Sequence, residues 1–138
     1  MNDAHLHLVV NHFPIIGTIL GLGILFFGYL KPNNTIKSVA YSIFIVSAIS
    51  AFLSMFTGEA AEHLVKNMPD IGMKIIHEHE EWAEKLVLVL YLLGIISIAG
   101  LYANAKSSSQ AKLVSLMALI VASIAVFLGS RTGTTGGE

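Results

Sequence analysis

The sequence predicts an all-α integral membrane protein: a four-helix bundle with both termini on the outer side and short surface helices between spans two and three. Three observations predict it. Hydrophobic residues make up 54% of the 138 residues and charged residues only 12%, a balance too apolar for a soluble domain of this size. The apolar residues fall into four runs, each near the roughly 20 residues that cross a bilayer core of about 30 Å. All six histidines and all nine acidic residues gather at one face of the membrane that those runs define.

The chain is expected to form one domain over 1–138. Its first span runs from Leu8 to Leu30 and ends in the turn Lys31-Pro32-Asn33-Asn34-Thr35. The segment carries Asp3, His5 and His7 where a signal peptide would be basic, so it is expected to be retained. Pro14 suits a first helical turn and biases Phe13 away from helical geometry, which places His12 beside a kink. Ile36 to Thr57 is the second span, with Lys37 as its charged residue. Gly58 to Trp82 reads as two short amphipathic helices hinged near Met68-Pro69-Asp70. Leu86 to Ala103 is the third span and Ala111 to Gly129 the fourth, joined by a loop from Asn104 to Gln110.

An even number of spans puts both termini on one side. The short loops of the other side carry Lys31, Lys37, Lys106 and Lys112 and no acid. Basic short loops mark the cytoplasmic face. The histidine-rich end is therefore expected to be periplasmic, in a bacterial inner membrane.

Composition also excludes. A net charge of −1 offers no basic patch for nucleic acid. The absence of cysteine removes disulfides, iron–sulfur clusters, thiolate zinc and covalently attached haem. No nucleophile–base pair can be placed beside Ser130 or the nearby threonines, so hydrolysis is disfavoured. A metal or cofactor would be held by His, Glu, Asp, Met or backbone.

Three groups supply such donors: His5, His7 and His12 before and within span one; Glu59, Glu62 and His63 after span two; and the run from His77 to Glu84 before span three. Glu59 and His63 stand at i, i+4, so their side chains can meet. His77, Glu80, Glu81 and Glu84 share a polar stripe that reads as a hydrated rim. His79 shares the apolar stripe of Ile75, Ile76, Trp82 and Leu86 and should face the bundle. A polar ring at membrane depth normally has a partner or a task, which singles out His12 and His79. His5 and His7, close to the start of the chain, stay undecided.

Three chemistries fit. The first is haem b, with His12 and either His63 or His79 as axial ligands between facing helices. Arg131 would pair with a carboxylate or a haem propionate. Gly17, Gly21 and Gly28 would give room for a porphyrin or, alternatively, allow close helix packing. The second is a copper, zinc, iron or nickel ion held by His12, Glu59, Glu62, His63, His77 and His79. The third is a cofactor-free structural or proton-relay subunit. The expected partners are the lipid bilayer, a redox partner or larger membrane complex, and a second copy of the chain.

His12-Phe13-Pro14 opening span one, Thr57-Gly58-Glu59 closing span two, a histidine leading into span three and Gly136-Gly137 after span four form a pattern. It resembles a bacterial family of four-helix membrane domains of unknown function with an N-terminal His-Phe-Pro motif, over essentially the whole chain. The resemblance implies the four-span topology and a bacterial membrane. Some members of that family lie beside or are fused to cytochrome-type domains, which implies redox chemistry, electron transfer more than catalysis.

Overall fold

The computed structural model describes residues 3–65 and 72–137. They form helices α1 (Asp3–Val10), α2 (His12–Leu30), α3 (Asn34–Val65), α4 (Met73–Ala105) and α5 (Ala111–Gly136). Taking α1 and α2 together, four helices are long and apolar enough to cross a membrane. The protein is a multi-pass, all-α membrane bundle.

Proline explains the division between α1 and α2. Pro14 has no N–H to offer the carbonyl of Val10, and its ring crowds that carbonyl. Helix α1 ends at Val10, Asn11 forms a turn, and His12 opens α2. The chain hardly changes course, because Asn11 keeps helical φ and ψ and its N–H still bonds His7 O at 2.9 Å.

The two short surface helices expected between spans two and three are not separate elements. Helix α3 runs unbroken to Val65 and α4 starts at Met73, while the expected hinge at Met68-Pro69-Asp70 lies outside the described residues. A 33-residue α4 is about 50 Å long at 1.5 Å per residue, against a bilayer core of roughly 30 Å. Its first turns therefore project beyond the hydrocarbon as part of the same helix.

The four spans pack in a ring, α2 on α3, α3 on α4, α4 on α5 and α5 back on α2. The buried residues of α2, Pro14, Thr18, Gly21, Leu25 and Gly28, alternate in steps of four and three. Ala111, Ser115, Ala118, Ala122, Ala125 and Gly129 do the same on α5. That 3.5-residue repeat is the seam of a left-handed bundle.

Small residues fill much of the seam around a few large ones, Leu25, Tyr41, Phe44, Leu90 and Leu93, while most other bulk points outward. Ala118, Ala122, Ser97 and Ser115 are fully buried, whereas Phe56 is 71% exposed and Leu88 69%. Lipid tails are as apolar as leucine, so only close packing and internal hydrogen bonds hold such helices together. Gly21 shows the packing: a Cβ there would sit 2.6 Å from Phe44 Cε1. Ser47 stands against Gly17, and Ile36 and Lys37 stand against Gly28. Gly17, Gly21 and Gly28 thus let α3 side chains pack close against α2.

Tyr41 makes a polar tie across the bundle. The fully buried Tyr41 passes over Gly100 of α4, where a Cβ would collide with its ring, and reaches Ser115 of α5. The Ser115 hydroxyl donates its proton to Ala111 O at 2.8 Å. It therefore accepts from Tyr41 Oη, 2.9 Å away.

Candidate functional site

The start of α1, the end of α3, the start of α4 and the end of α5 meet at one end of the bundle. Followed outward, the α2 seam continues from Pro14 through Asn11 to His7. The α4 seam likewise runs from Leu90 and Leu86 through Ala83 to His79. The outermost layer of the core is thus imidazole on two helices at opposite corners of the ring. Each ring is half-buried, and the two are close enough to feel each other's charge.

The helix beside each histidine is built alike. His7 Nδ1 lies 3.1 Å from Thr57 Oγ1 of α3, and His79 Nδ1 lies 3.2 Å from Thr135 Oγ1 of α5. Each threonine precedes a glycine that the ring rests on. A Cβ on Gly58 would stand 3.2 Å from His7 Cε1, and one on Gly136 would stand 2.9 Å from His79 Cε1.

A threonine hydroxyl has one proton to donate. Within 3.1 Å of Thr57 Oγ1 lie the carbonyls of Leu53 and Ser54, and within 3.1 Å of Thr135 Oγ1 those of Arg131 and Thr132. When the hydroxyl donates to its own helix, it can accept from an imidazole that carries its proton on Nδ1. The carbonyls of Ser54 and Thr132 lie beside the same rings as further acceptors. A neutral imidazole in that tautomer keeps its lone pair on Nε2, the form in which imidazole binds a metal when its other nitrogen is held by an acceptor.

The other sequence candidates are placed elsewhere. His12 is exposed, and its Nδ1 donates to Leu8 O at 2.7 Å, four residues back across the α1–α2 break. It lines an outward groove between α2 and α3 with Val9, Phe13 and Ile16. No described contact joins it to His63, His77 or His79. His63 is exposed on the last turns of α3. His77 is exposed beside Glu80 at 3.9 Å, and Glu81 pairs with Lys85 at 2.8 Å, as expected of a hydrated rim. Glu59 lies on the opposite side of α3 from α2, in a groove shared with Glu84. Arg131 stacks over Trp82 and Phe127, its guanidinium carbon 5.8 Å from each ring centre. It thus stands one turn from Thr135, at the His79 side of the layer.

Among the described residues, no three of His, Asp and Glu come close enough together to hold one ion. The chain matches no family model, no curated protein and no solved structure. Function has to be argued from this layer itself.

His7, left undecided by the sequence, is placed in this layer. Its signal was the seam: positions 7, 11, 14, 18, 21, 25 and 28 alternate four and three, as do 79, 83, 86, 90, 93, 97 and 100. The Thr-Gly pairs at 57–58 and 135–136 were a second signal. Beneath His7, Asn11 keeps its side-chain oxygen buried with no hydrogen-bond partner.

Proposed function

We propose that this protein binds haem b at the histidine end of its bundle, with His7 and His79 as the axial ligands, and carries electrons in the membrane. The observation that supports this reading is the matched pair of half-buried imidazoles, each with Nδ1 against a threonine hydroxyl of a neighbouring helix. A protein-bound zinc or copper ion wants three or four protein donors. A haem iron brings four nitrogens of its own and wants only two, which is the number available here.

The chemistry of the surroundings agrees. With no cysteine in the chain, a haem would be held without covalent attachment. Arg131 stands where it would neutralise a propionate. Gly58 and Gly136 keep the ring edges free of side-chain atoms that would tilt them. Of the ligands expected from sequence, this reading retains His79 and Arg131 and prefers His7 to His12 and His63. The resemblance to a family with cytochrome-type neighbours points the same way. By the distribution of lysines, the haem end would face the periplasm of a bacterial inner membrane.

The test is a titration of the detergent-purified protein with haemin. A Soret band of a six-coordinate, low-spin haem is expected. It should be lost in His7→Ala and in His79→Ala and retained in His12→Ala and His63→Ala. No Soret shift in the wild type would sink the proposal in favour of a cofactor-free subunit. Elemental analysis of the same sample covers the alternative of a copper, zinc, iron or nickel ion.

A further inference from the structure

Resting on the haem reading, we propose that the outward groove between α3 and α4 takes the head of a lipid-soluble hydroquinone, whose two hydroxyls hydrogen-bond to Glu59 and Glu84. The groove has a volume of about 410 Å³ and lies between the two helices. Phe52, Phe56, Leu88 and Tyr91 line it, with Glu59 and Glu84. Phe52 precedes Glu59 by seven residues and Tyr91 follows Glu84 by seven, about 10 Å along each helix. Because α3 and α4 are antiparallel, both carboxylates sit at the histidine end and both aromatic rings lie deeper in the apolar zone.

This polarity selects the occupant. The lining aromatics open sideways, with Phe52 60% and Phe56 71% exposed to what would be lipid, so an isoprenoid tail can stay in the bilayer. Among the described residues, no basic side chain lines the groove. Two carboxylates with no described cation in the lining repel a phosphate head and accept hydrogen bonds from hydroxyls. A flat neutral ring carrying two hydroxyls satisfies both ends, stacking against Phe52 or Phe56 and donating to the glutamates.

The groove also adjoins the proposed haem layer. Glu59 directly follows Thr57 and Gly58, which touch His7 on the opposite side of α3. One helix thickness, roughly 10 Å, separates a ring in the groove from that layer. Oxidation of the hydroquinone breaks two O–H bonds and gives the quinone. The two protons pass to Glu59 and Glu84 and on to water. The two electrons would leave singly to a one-electron metalloprotein acceptor, and a haem held by His7 and His79 would supply the one-electron relay between hydroquinone and acceptor.

Calorimetric titration of the full-length protein in detergent with decylubiquinone, with and without haem, tests the groove separately from the haem. Saturable binding is expected in both forms. Leu88→Trp, which fills the groove from its lipid side, should weaken binding at least tenfold with the Soret band unchanged. In the haem-loaded protein, Glu59→Gln/Glu84→Gln should slow haem reduction by decylubiquinol at least tenfold. No binding to the wild type overturns the proposal, as does binding that Leu88→Trp leaves intact. Saturable binding of dodecylamine in place of the quinone would assign the groove to a cationic lipid and overturn it too. Quinone binding without any Soret band would overturn the haem reading and leave the groove standing.

Discussion

His79 and Thr135, 56 residues apart in sequence, join α4 to α5 through a 3.2 Å contact between Nδ1 and Oγ1. The contact is also a statement about protons. When the Thr135 hydroxyl donates to its own helix, it can accept from His79 Nδ1–H, the tautomer that keeps the lone pair on Nε2. His7 and Thr57 repeat the arrangement between α1 and α3.

Thr57→Val and Thr135→Val keep the shape of each threonine and remove the acceptor. Each is expected to lower haem affinity about 10- to 100-fold, the usual cost of losing the partner that orients a metal-bound histidine. Thr→Ser at either position should restore most of it. Competition with apomyoglobin for haem measures both effects.

Gly136→Ala and Gly58→Ala put a methyl against a ring edge, at 2.9 Å and 3.2 Å respectively. The closer contact forces the imidazole to move, so Gly136→Ala should weaken haem binding more than Gly58→Ala. Both variants should fold, because the imidazole can swing away. Near-infrared and electron paramagnetic resonance spectra, which report the axial ligands, would record a changed ligand field.

Gly100→Ala should cost about 2–4 kcal/mol, by overpacking Tyr41 and breaking its hydrogen bond to Ser115. Gly23, where an added methyl would meet nothing within 4 Å, gives the control: Gly23→Ala should stabilise by about 0.5–1 kcal/mol. Unfolding in mixed micelles with increasing sodium dodecyl sulfate separates the two.

Pro14→Ala gives the Val10 carbonyl a donor and should join α1 and α2 into one straight helix. Stability is expected to hold or rise, and because Asn11 already keeps helical φ and ψ, His7 should stay beside Thr57 and haem affinity should change less than tenfold. A larger loss would show that the break aims His7.

Much of this architecture is legible in the sequence. Four apolar runs of bilayer length give the spans, because each spanning backbone must satisfy itself as helix. The stripe that His79 shares with Trp82 and Leu86 turns it toward the bundle. His7 escapes the same reasoning because closeness to a terminus suggests looseness, whereas seam spacing continues through Asn11 at helical φ and ψ. His12 misleads. Its proximity to Pro14 suggests depth and purpose, but the ring turns back to Leu8 O and meets a local backbone need. The partners Thr57 and Thr135 depend on helix pairing across the bundle, which no local periodicity encodes.

The layer of histidines is divided evenly along the chain. One half, His7 with Thr57 and Gly58, comes from α1 and α3; the other, His79 with Thr135 and Gly136, comes from α4 and α5. Under the proposed haem reading, neither half of the chain owns a complete site. A polypeptide cut between α3 and α4 would then yield two fragments with one proposed ligand apiece, and haem would act as the clasp that recruits one to the other. Colour would appear only in their mixture, making pigment a direct reporter of bundle assembly.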